Sequence, residues 1–158
     1  MHGANGAGTD WTDVDRGNVE AATAGTNMIV VRPDAGFGRT GGGWYTNWIH
    51  QTTRFGPSQW ETFHITQLIP YIDSVFRTNS TKAQRAIAGI SEGGFGAMSY
   101  AARHPGLFAA GASFSGAPDI DRDVALRIPA TVVIEQSARA DGVNPSAAFG
   151  PRSTNEAN

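Results

Sequence analysis

The feature that most constrains this chain is a serine set among glycines, in the string G-I-S-E-G-G at residues 89–94. An apolar run, R-A-I-A, precedes this string, and a stretch of mostly small residues follows it over positions 95–102. The order predicts a strand, a tight turn and a helix, with Ser91 at the turn. In a nucleophile elbow, a serine at such a turn has its hydroxyl lifted clear of the sheet.

The residue types around Ser91 fit nucleophilic chemistry. Glycines allow a strand and a helix to approach more closely than side chains would permit, and the first N–H groups of the helix point toward negative charge developing near the serine. The alternative is a glycine-rich turn in some other α/β protein. The pattern therefore makes Ser91 the candidate catalytic residue.

Apolar periodicity predicts alternating strands and helices. We expect a buried strand at 27–33, further strands at 86–90 and 108–114, and helices at 14–24, 60–76 (kinked at Pro70) and 93–103. Residues 1–13 and 34–59 are expected to form loops, residues 126–136 a strand or a helix, and residues 138–158 show no periodicity. Strands that alternate with helices favour a parallel sheet covered on both faces.

Length and composition favour one folded domain over residues 1–158. The 158 residues are 40% hydrophobic and 16% charged, with a net charge of −2 and no cysteine. Scattered basic residues argue against nucleic acid as a partner, and no stretch approaches the roughly 20 apolar residues of a membrane span. We expect no metal and no cofactor. The G-x-G-x-x-G string at 36–41 runs on into a loop, which disfavours a dinucleotide site.

Several strings, in consistent order, carry a family resemblance. They are H-G-A-N followed by Trp11, V-V-R-P-D-A-G-F-G, W-Y-T-N-W, Q-W-E-T-F-H, L-I-P-Y-I-D, G-I-S-E-G-G-F-G-A-M, A-A-R-H-P-G-L-F and S-F-S-G. Over roughly residues 2–120 the chain resembles the esterase D-type α/β-hydrolases. Within them it is most similar to the branch that holds the secreted mycobacterial mycolyltransferases and related actinobacterial esterases.

The resemblance implies a fold and a chemistry. The fold is an α/β-hydrolase-like three-layer sandwich with a mostly parallel sheet. The chemistry is that of a serine esterase working through an acyl-enzyme at Ser91, or of an acyltransferase of the mycolyltransferase type. The backbone N–H of Glu92 would be one oxyanion donor, and that of Ala4 or Asn5 the other. Small ester or acyl substrates would be the partners, and the family leans toward secretion, with a cytoplasmic location left open.

The chain also departs from the family. Members carry an apolar strand directly before the H-G loop and, after S-F-S-G, a further strand with the triad acid and a later histidine. Here no histidine follows His104, so the expected order Ser…Asp/Glu…His is not completed. The comparison implies a hydrolase incomplete at both ends, and a non-enzymatic fragment is the third functional alternative. His50 and His2 are the candidate bases, whereas His64 and His104 are expected to be structural.

Two further expectations concern the aromatic loop and the sheet edges. The cluster Trp44, Tyr45, Trp48 and Trp60 would either line an acyl or aryl pocket or pack the long loop onto the sheet. A parallel sheet of about three strands leaves exposed edges that a second copy could cover. We therefore expect a homo-oligomer.

Overall fold

The computed structural model describes residues 1–36, 42–53, 56–117 and 148–149. None of the helices in these ranges is both long and apolar enough to cross a membrane. The regular elements, in chain order, are a 3₁₀ turn Gly8–Trp11, α1 Val19–Ala22, β1 Asn47–Thr53, β2 Gly56–Gln59, α2 Trp60–Thr62, a π-helical segment Phe63–Leu68, α3 Ile69–Val75, a 3₁₀ turn Lys82–Gln84, β3 Ala86–Ile90, α4 Glu92–Arg103 and β4 Ala110–Phe114.

The strand–helix–strand unit β3–α4–β4 is the part of the fold that positions Ser91. The two strands pair in parallel, from Ala86 opposite Ala110 to Ile90 opposite Phe114. The connecting helix α4 packs against both strands. The predicted strand at 86–90 and the predicted helix after it are confirmed, and the predicted third strand begins at Ala110 rather than at 108.

The prediction of a continuous loop over residues 34–59 was wrong for its second half. There β1 and β2 form an antiparallel pair, with Asn47 opposite Gln59 and an irregular register between Asn47 and Thr52. Glycine-rich sequence upstream hid the strand signal of Trp, Ile and Thr within β1. Gly56 has a φ of +104°, a value that L side chains rarely adopt, so a glycine fits the start of β2.

The predicted buried strand at 27–33 was also wrong. Within the described residues this segment pairs with neither sheet, and its apolar side chains at 28–31 are between 40% and 61% exposed. A buried parallel strand needs a hydrogen-bonded neighbour on each side. Apolar composition predicted the strand, but no ladder forms beside it.

Two predicted helices differ in form from the expectation. The helix at 14–24 shrinks to α1, because Asn18 takes a left-handed conformation with φ of 40° just before it. The helix at 60–76 widens into the π-helical segment before α3, in which Pro70 lies in the first turn. The proline ring would crowd the carbonyl of Thr66 in a regular helix, and the wider turns relieve that crowding.

The main apolar cluster lies between α4 and the loop around Tyr45. Tyr45 and Ala97 are fully buried, and Tyr100 and Phe108 are nearly so. Gly96 leaves the space that the Tyr45 ring occupies, since a Cβ at this position would overlap Tyr45 Cβ and Cγ. The loop is therefore fixed directly on the helix that follows Ser91.

Candidate functional site

Ser91 lies at the junction of β3 and α4, in a conformation that few serines adopt. Its φ is 53° and its ψ is −117°. Its N–H donates to the Phe114 carbonyl at 2.8 Å, and its carbonyl accepts from the Phe95 N–H at 3.1 Å. A positive φ at a residue with a side chain costs of order 1–3 kcal/mol and persists only when the surroundings enforce it. The strained strand-to-helix turn predicted for Ser91 is confirmed.

The glycines around Ser91 are required by close packing. A Cβ at Gly89 would overlap the Gly93 carbonyl, so the backbone near the end of β3 lies against the first turn of α4. A Cβ at Gly93 would overlap the carbonyls of Met1 and His2. The glycine pattern therefore brings the chain's first residues against the elbow.

The loop that begins at His2 lies directly beside Ser91. A Cβ built on Gly3 would stand 3.3 Å from the Cβ of Ser91. The Gly6 N–H donates to the Gly3 carbonyl at 3.0 Å, which closes a turn around Ala4 and Asn5, and Asn5 has a φ of 60°. The structure thus brings the Ala4–Asn5 turn and the first residue of α4, Glu92, to the same place as Ser91. Their role as oxyanion donors stays a prediction.

A buried carboxylate, which the sequence pattern did not reveal, connects the aromatic loop to the elbow. Glu92 is 1% exposed, and its Oε1 accepts from the Trp44 N–H at 2.7 Å. Trp44 and Tyr45 both have positive φ, at 56° and 52°. The Tyr45 hydroxyl donates to the His2 carbonyl at 3.1 Å. Burial, and secondly the Glu92 charge, raise the pKa of Tyr45, which keeps this hydroxyl a donor.

His2 is engaged on both ring nitrogens. Nδ1 donates to the Gly3 carbonyl at 2.8 Å, and Nε2 accepts from the Ala35 N–H at 3.1 Å. Because a carbonyl only accepts and an amide only donates, these two bonds assign the neutral Nδ1–H tautomer. The ring is 3% exposed and hydrogen-bonds to the loop rather than to Ser91. These contacts favour a role in orienting the loop over the role of base.

His64 belongs to a buried network away from Ser91. Its Nε2 donates to the Asp34 carbonyl at 2.8 Å, and its Nδ1 accepts from the Tyr100 hydroxyl at 2.9 Å. Burial lowers the pKa of His64 to about 4 and raises that of Tyr100. The neutral imidazole connects the π-helical segment to α4, which agrees with the expected structural role.

Of the remaining two histidines, His104 directly follows α4 and His50 lies in β1. His104 Nε2 pairs with Glu61 Oε1 at 2.7 Å, and Arg103 Nε approaches the same oxygen at 3.2 Å. This contact fixes the end of α4 to α2. His50 lies in β1, and its side chain falls outside the described residues. Among the side chains that the structure describes, no histidine hydrogen-bonds to Ser91.

The four aromatic residues proposed for a substrate pocket are mostly packed inside. Trp44, Tyr45 and Trp48 are each 4% exposed or less, and Trp60 stacks on His64 with ring centroids 6.3 Å apart. Trp44 also meets the Phe95 ring edge-to-face at 5.7 Å. This burial favours the packing alternative, and a pocket-lining role stays a prediction.

The comparisons with known proteins agree with this geometry. The esterase family model matches residues 9–149, which is most of the chain. The chain belongs to this esterase family. The resemblance expected from the H-G-A-N, G-I-S-E-G-G and S-F-S-G strings is therefore confirmed.

Two curated relatives come from mycobacteria. The chain is 43% identical over 126 residues to Esterase Rv1288 of Mycobacterium tuberculosis, covering 80% of this chain and 26% of that protein. It is 33% identical over 111 residues to the MPT51/MPB51 antigen of Mycobacterium bovis, covering 70% of this chain and 34% of the antigen. The chain thus spans about a quarter to a third of the length of these relatives.

Solved structures show the fold class. The crystal structure of Mycobacterium tuberculosis MPT51 (FbpC1) superposes with a TM-score of 0.64 at 28% identity, covering 95% of this chain and 51% of that one. A ferulic acid esterase superposes with a TM-score of 0.51 at 26% identity, covering 88% and 55%. The chain has the α/β-hydrolase fold, as expected.

Proposed function

We propose that this esterase-family chain carries the nucleophile half of a serine esterase site, with Ser91 as the nucleophile. The observation that carries the proposal is the strained backbone of Ser91, directly before α4. Hydrogen bonds at both its N–H and its carbonyl fix this conformation. Backbone strain of this kind clusters at functional sites, and in a nucleophile elbow it lifts the serine hydroxyl clear of the sheet.

The reaction follows from these positions. Ser91 Oγ attacks the ester carbonyl carbon and loses its proton to a general base. The carbonyl oxygen becomes an oxyanion, for which the N–H of Glu92 and that of Ala4 or Asn5 are the proposed donors. The bond to the leaving alcohol then breaks, the alkoxide takes up the proton, and water repeats the sequence to release the acid and free Ser91.

The general base is the part of this mechanism that the described residues support least. His2 and His64 are neutral and doubly hydrogen-bonded, and His104 is paired with Glu61. His50 stays the candidate base carried by this sequence. Without an activated base a serine hydroxyl is a weak nucleophile, so we expect the isolated chain to turn over esters weakly or not at all.

Two alternatives use the same scaffold. An acyltransferase would pass the acyl group from Ser91 to a sugar hydroxyl in place of water, and only the acceptor site would distinguish it. A non-enzymatic domain would keep the elbow as a structural turn. The engagement of His2, His64 and His104 by other groups is the observation that favours this second alternative.

Covalent labelling tests the proposal without requiring turnover. The chain is incubated with a fluorophosphonate probe, and the labelled residue is identified by mass spectrometry, alongside hydrolysis of p-nitrophenyl butyrate. Because attack on the probe also depends on activation of the serine, we expect slow labelling at high probe concentration, confined to Ser91, lost in Ser91→Ala and retained in Ser99→Ala, a control on the same helix. Label that persists in Ser91→Ala, or a chain that never labels, would refute the nucleophile and leave the non-enzymatic alternative.

A further inference from the structure

Two consecutive aromatic residues beside the elbow hold a backbone conformation that bulky side chains disfavour. Trp44 has a φ of 56° and Tyr45 a φ of 52°. A positive φ is uncommon outside glycine, and for a bulky residue it is an outlier. Strain of this kind persists only where the surrounding contacts enforce it, and it clusters at functional sites. The acyl transfer proposed above uses neither residue, so their contacts are the place to look for a role.

On one side the loop of residues 42–45 is held by α4. Glu92 Oε1 accepts from the Trp44 N–H at 2.7 Å, and a Cβ at Gly42 would overlap the same carboxylate. The Tyr45 ring lies against Gly96, where a Cβ would overlap the ring. The N–H groups of a helix's first turn point beyond its start. Glu92 therefore offers the proposed oxyanion donor with its backbone and anchors the loop with its side chain.

On the other side the loop is held to His2 by two routes. The Tyr45 hydroxyl donates to the His2 carbonyl at 3.1 Å. The Gly43 N–H donates to the Ala35 carbonyl, and the Ala35 N–H donates to His2 Nε2 at 3.1 Å. The rings of His2 and Tyr45 also meet, with centroids 5.6 Å apart. Because His2 leads directly into the Ala4–Asn5 turn, the position of the loop determines the position of that turn.

These contacts lie where water cannot replace them. Tyr45, Ala35, His2 and Glu92 are all buried. A buried group that loses its partner has to shift or stay unsatisfied, and either outcome disturbs its neighbours. Oxyanion donors act only when they are placed within hydrogen-bond distance of the developing charge. A misplacement of about 1 Å costs on the order of 100-fold in rate.

We propose that Glu92 and Tyr45 are positioning residues of the ester site. Through the loop of residues 42–45 they hold the Ala4–Asn5 turn and the start of α4 at the separation that one oxyanion requires. The inference rests on the proposed function, in which Ser91 is the nucleophile and these two places supply the donors. Both side chains act through other groups, and the strained pair in the loop lets one N–H reach Glu92 while the next side chain reaches the turn.

Phosphorus NMR of a covalent adduct tests the proposal without requiring turnover. The full chain is incubated at high concentration with a fluorophosphonate until Ser91 Oγ has displaced fluoride from phosphorus. The phosphoryl oxygen of this adduct occupies the place of the oxyanion, so hydrogen bonds to it move the ³¹P chemical shift. The shift is recorded for the folded adduct and for the same adduct in urea. The labelling rate is measured against probe concentration, which separates the maximal rate constant from the half-saturating concentration.

The variants separate positioning from general stability. Glu92→Ala removes the acceptor of the Trp44 N–H, whereas Glu92→Gln keeps an acceptor there. Tyr45→Phe removes the hydroxyl that reaches the turn. The matched control is Tyr100→Phe, which removes a buried hydroxyl of the same ring cluster that donates instead to His64. Circular dichroism verifies folding, and if Glu92→Ala does not fold, the comparison of the two tyrosine variants decides.

We expect the folded adduct of the original chain to differ in ³¹P shift from the adduct in urea. Glu92→Ala and Tyr45→Phe should move the shift toward the value in urea. They should also lower the maximal rate constant at least about tenfold, with the half-saturating concentration within about twofold. The double variant should be no slower than the slower single one, because both changes act through one loop. Glu92→Gln and Tyr100→Phe should retain the original shift and rate.

Three results would overturn the inference, and they differ in what they leave standing. A chain that forms no adduct at Ser91 refutes the proposed function and the inference with it. A folded adduct with the same ³¹P shift as in urea leaves Ser91 as the nucleophile but removes the oxyanion site that the two residues are proposed to position. Equal effects of Tyr45→Phe and Tyr100→Phe on shift and rate reduce the loop contacts to general stability.

Discussion

Acid should destabilise this protein through His64, in a window set by its lowered pKa. The folded-state pKa is about 4, against an ordinary value of 6.5. Between these two pH values the unfolded chain binds a proton at His64 that the folded chain does not. The stability that depends on the neutral ring is therefore fully present above pH 6.5 and is lost progressively as the pH falls toward 4.

The magnitude follows from the size of the shift. One pKa unit corresponds to about 1.4 kcal/mol, so the full window is worth about 3 kcal/mol of unfolding free energy. The physical cost is burial, because a protonated ring would carry its charge where water cannot solvate it. For a domain of ordinary stability, about 5–15 kcal/mol, this is a large fraction.

The assay is urea unfolding followed by tryptophan fluorescence at pH 4.5, 5.5, 6.5 and 7.5. The matched variant is His64→Gln, whose amide can donate to the Asp34 carbonyl and accept from Tyr100 but does not titrate. Subtracting the variant's pH profile from that of the original removes the contribution of the carboxylates. We expect a difference that grows to about 3 kcal/mol in favour of the variant as the pH falls. Parallel profiles from pH 4.5 to 6.5 would refute the reasoning.

Three further predictions concern packing, the buried carboxylate and the N-terminus. Gly96→Ala should lower the unfolding free energy by about 1–3 kcal/mol because its methyl meets the buried Tyr45 ring, and the open-space control Gly106→Ala should not, as urea midpoints will show. Glu92→Ala should cost about 1–3 kcal/mol by leaving the Trp44 N–H without its acceptor, and Glu92→Gln should recover most of it in the same assay. Acetylating Met1 should raise the unfolding free energy by about 2–3 kcal/mol at pH 5.5 and leave it unchanged above pH 8. The reason is that acetylation removes a buried charge and keeps the N–H that donates to the Ala88 carbonyl, and thermal melts at the two pH values measure the effect.

The elbow could be predicted from sequence because its determinants are local. Gly89, Ser91 and Gly93 are close along the chain, and each glycine is needed for a contact between adjacent elements. The hairpin of β1 and β2 was missed because its strand formers follow a glycine-rich stretch whose composition indicates a loop. The segment 27–33 was wrongly predicted to be a strand, because apolar composition does not supply the neighbouring strand that a ladder requires.

Glu92 shows why the rest of the site could not be predicted in the same way. In the sequence it is a charged residue after the serine, which suggests an exposed side chain or a helix-start charge. In the structure the Glu92 side chain is buried, and its carboxylate accepts a hydrogen bond at 2.7 Å from the N–H of Trp44, 48 positions earlier. The same loop carries Tyr45, whose hydroxyl donates a hydrogen bond to the carbonyl of His2. The two sides of the proposed oxyanion site are thus connected through a loop that neither motif contains, and contacts of this range are outside what local patterns encode.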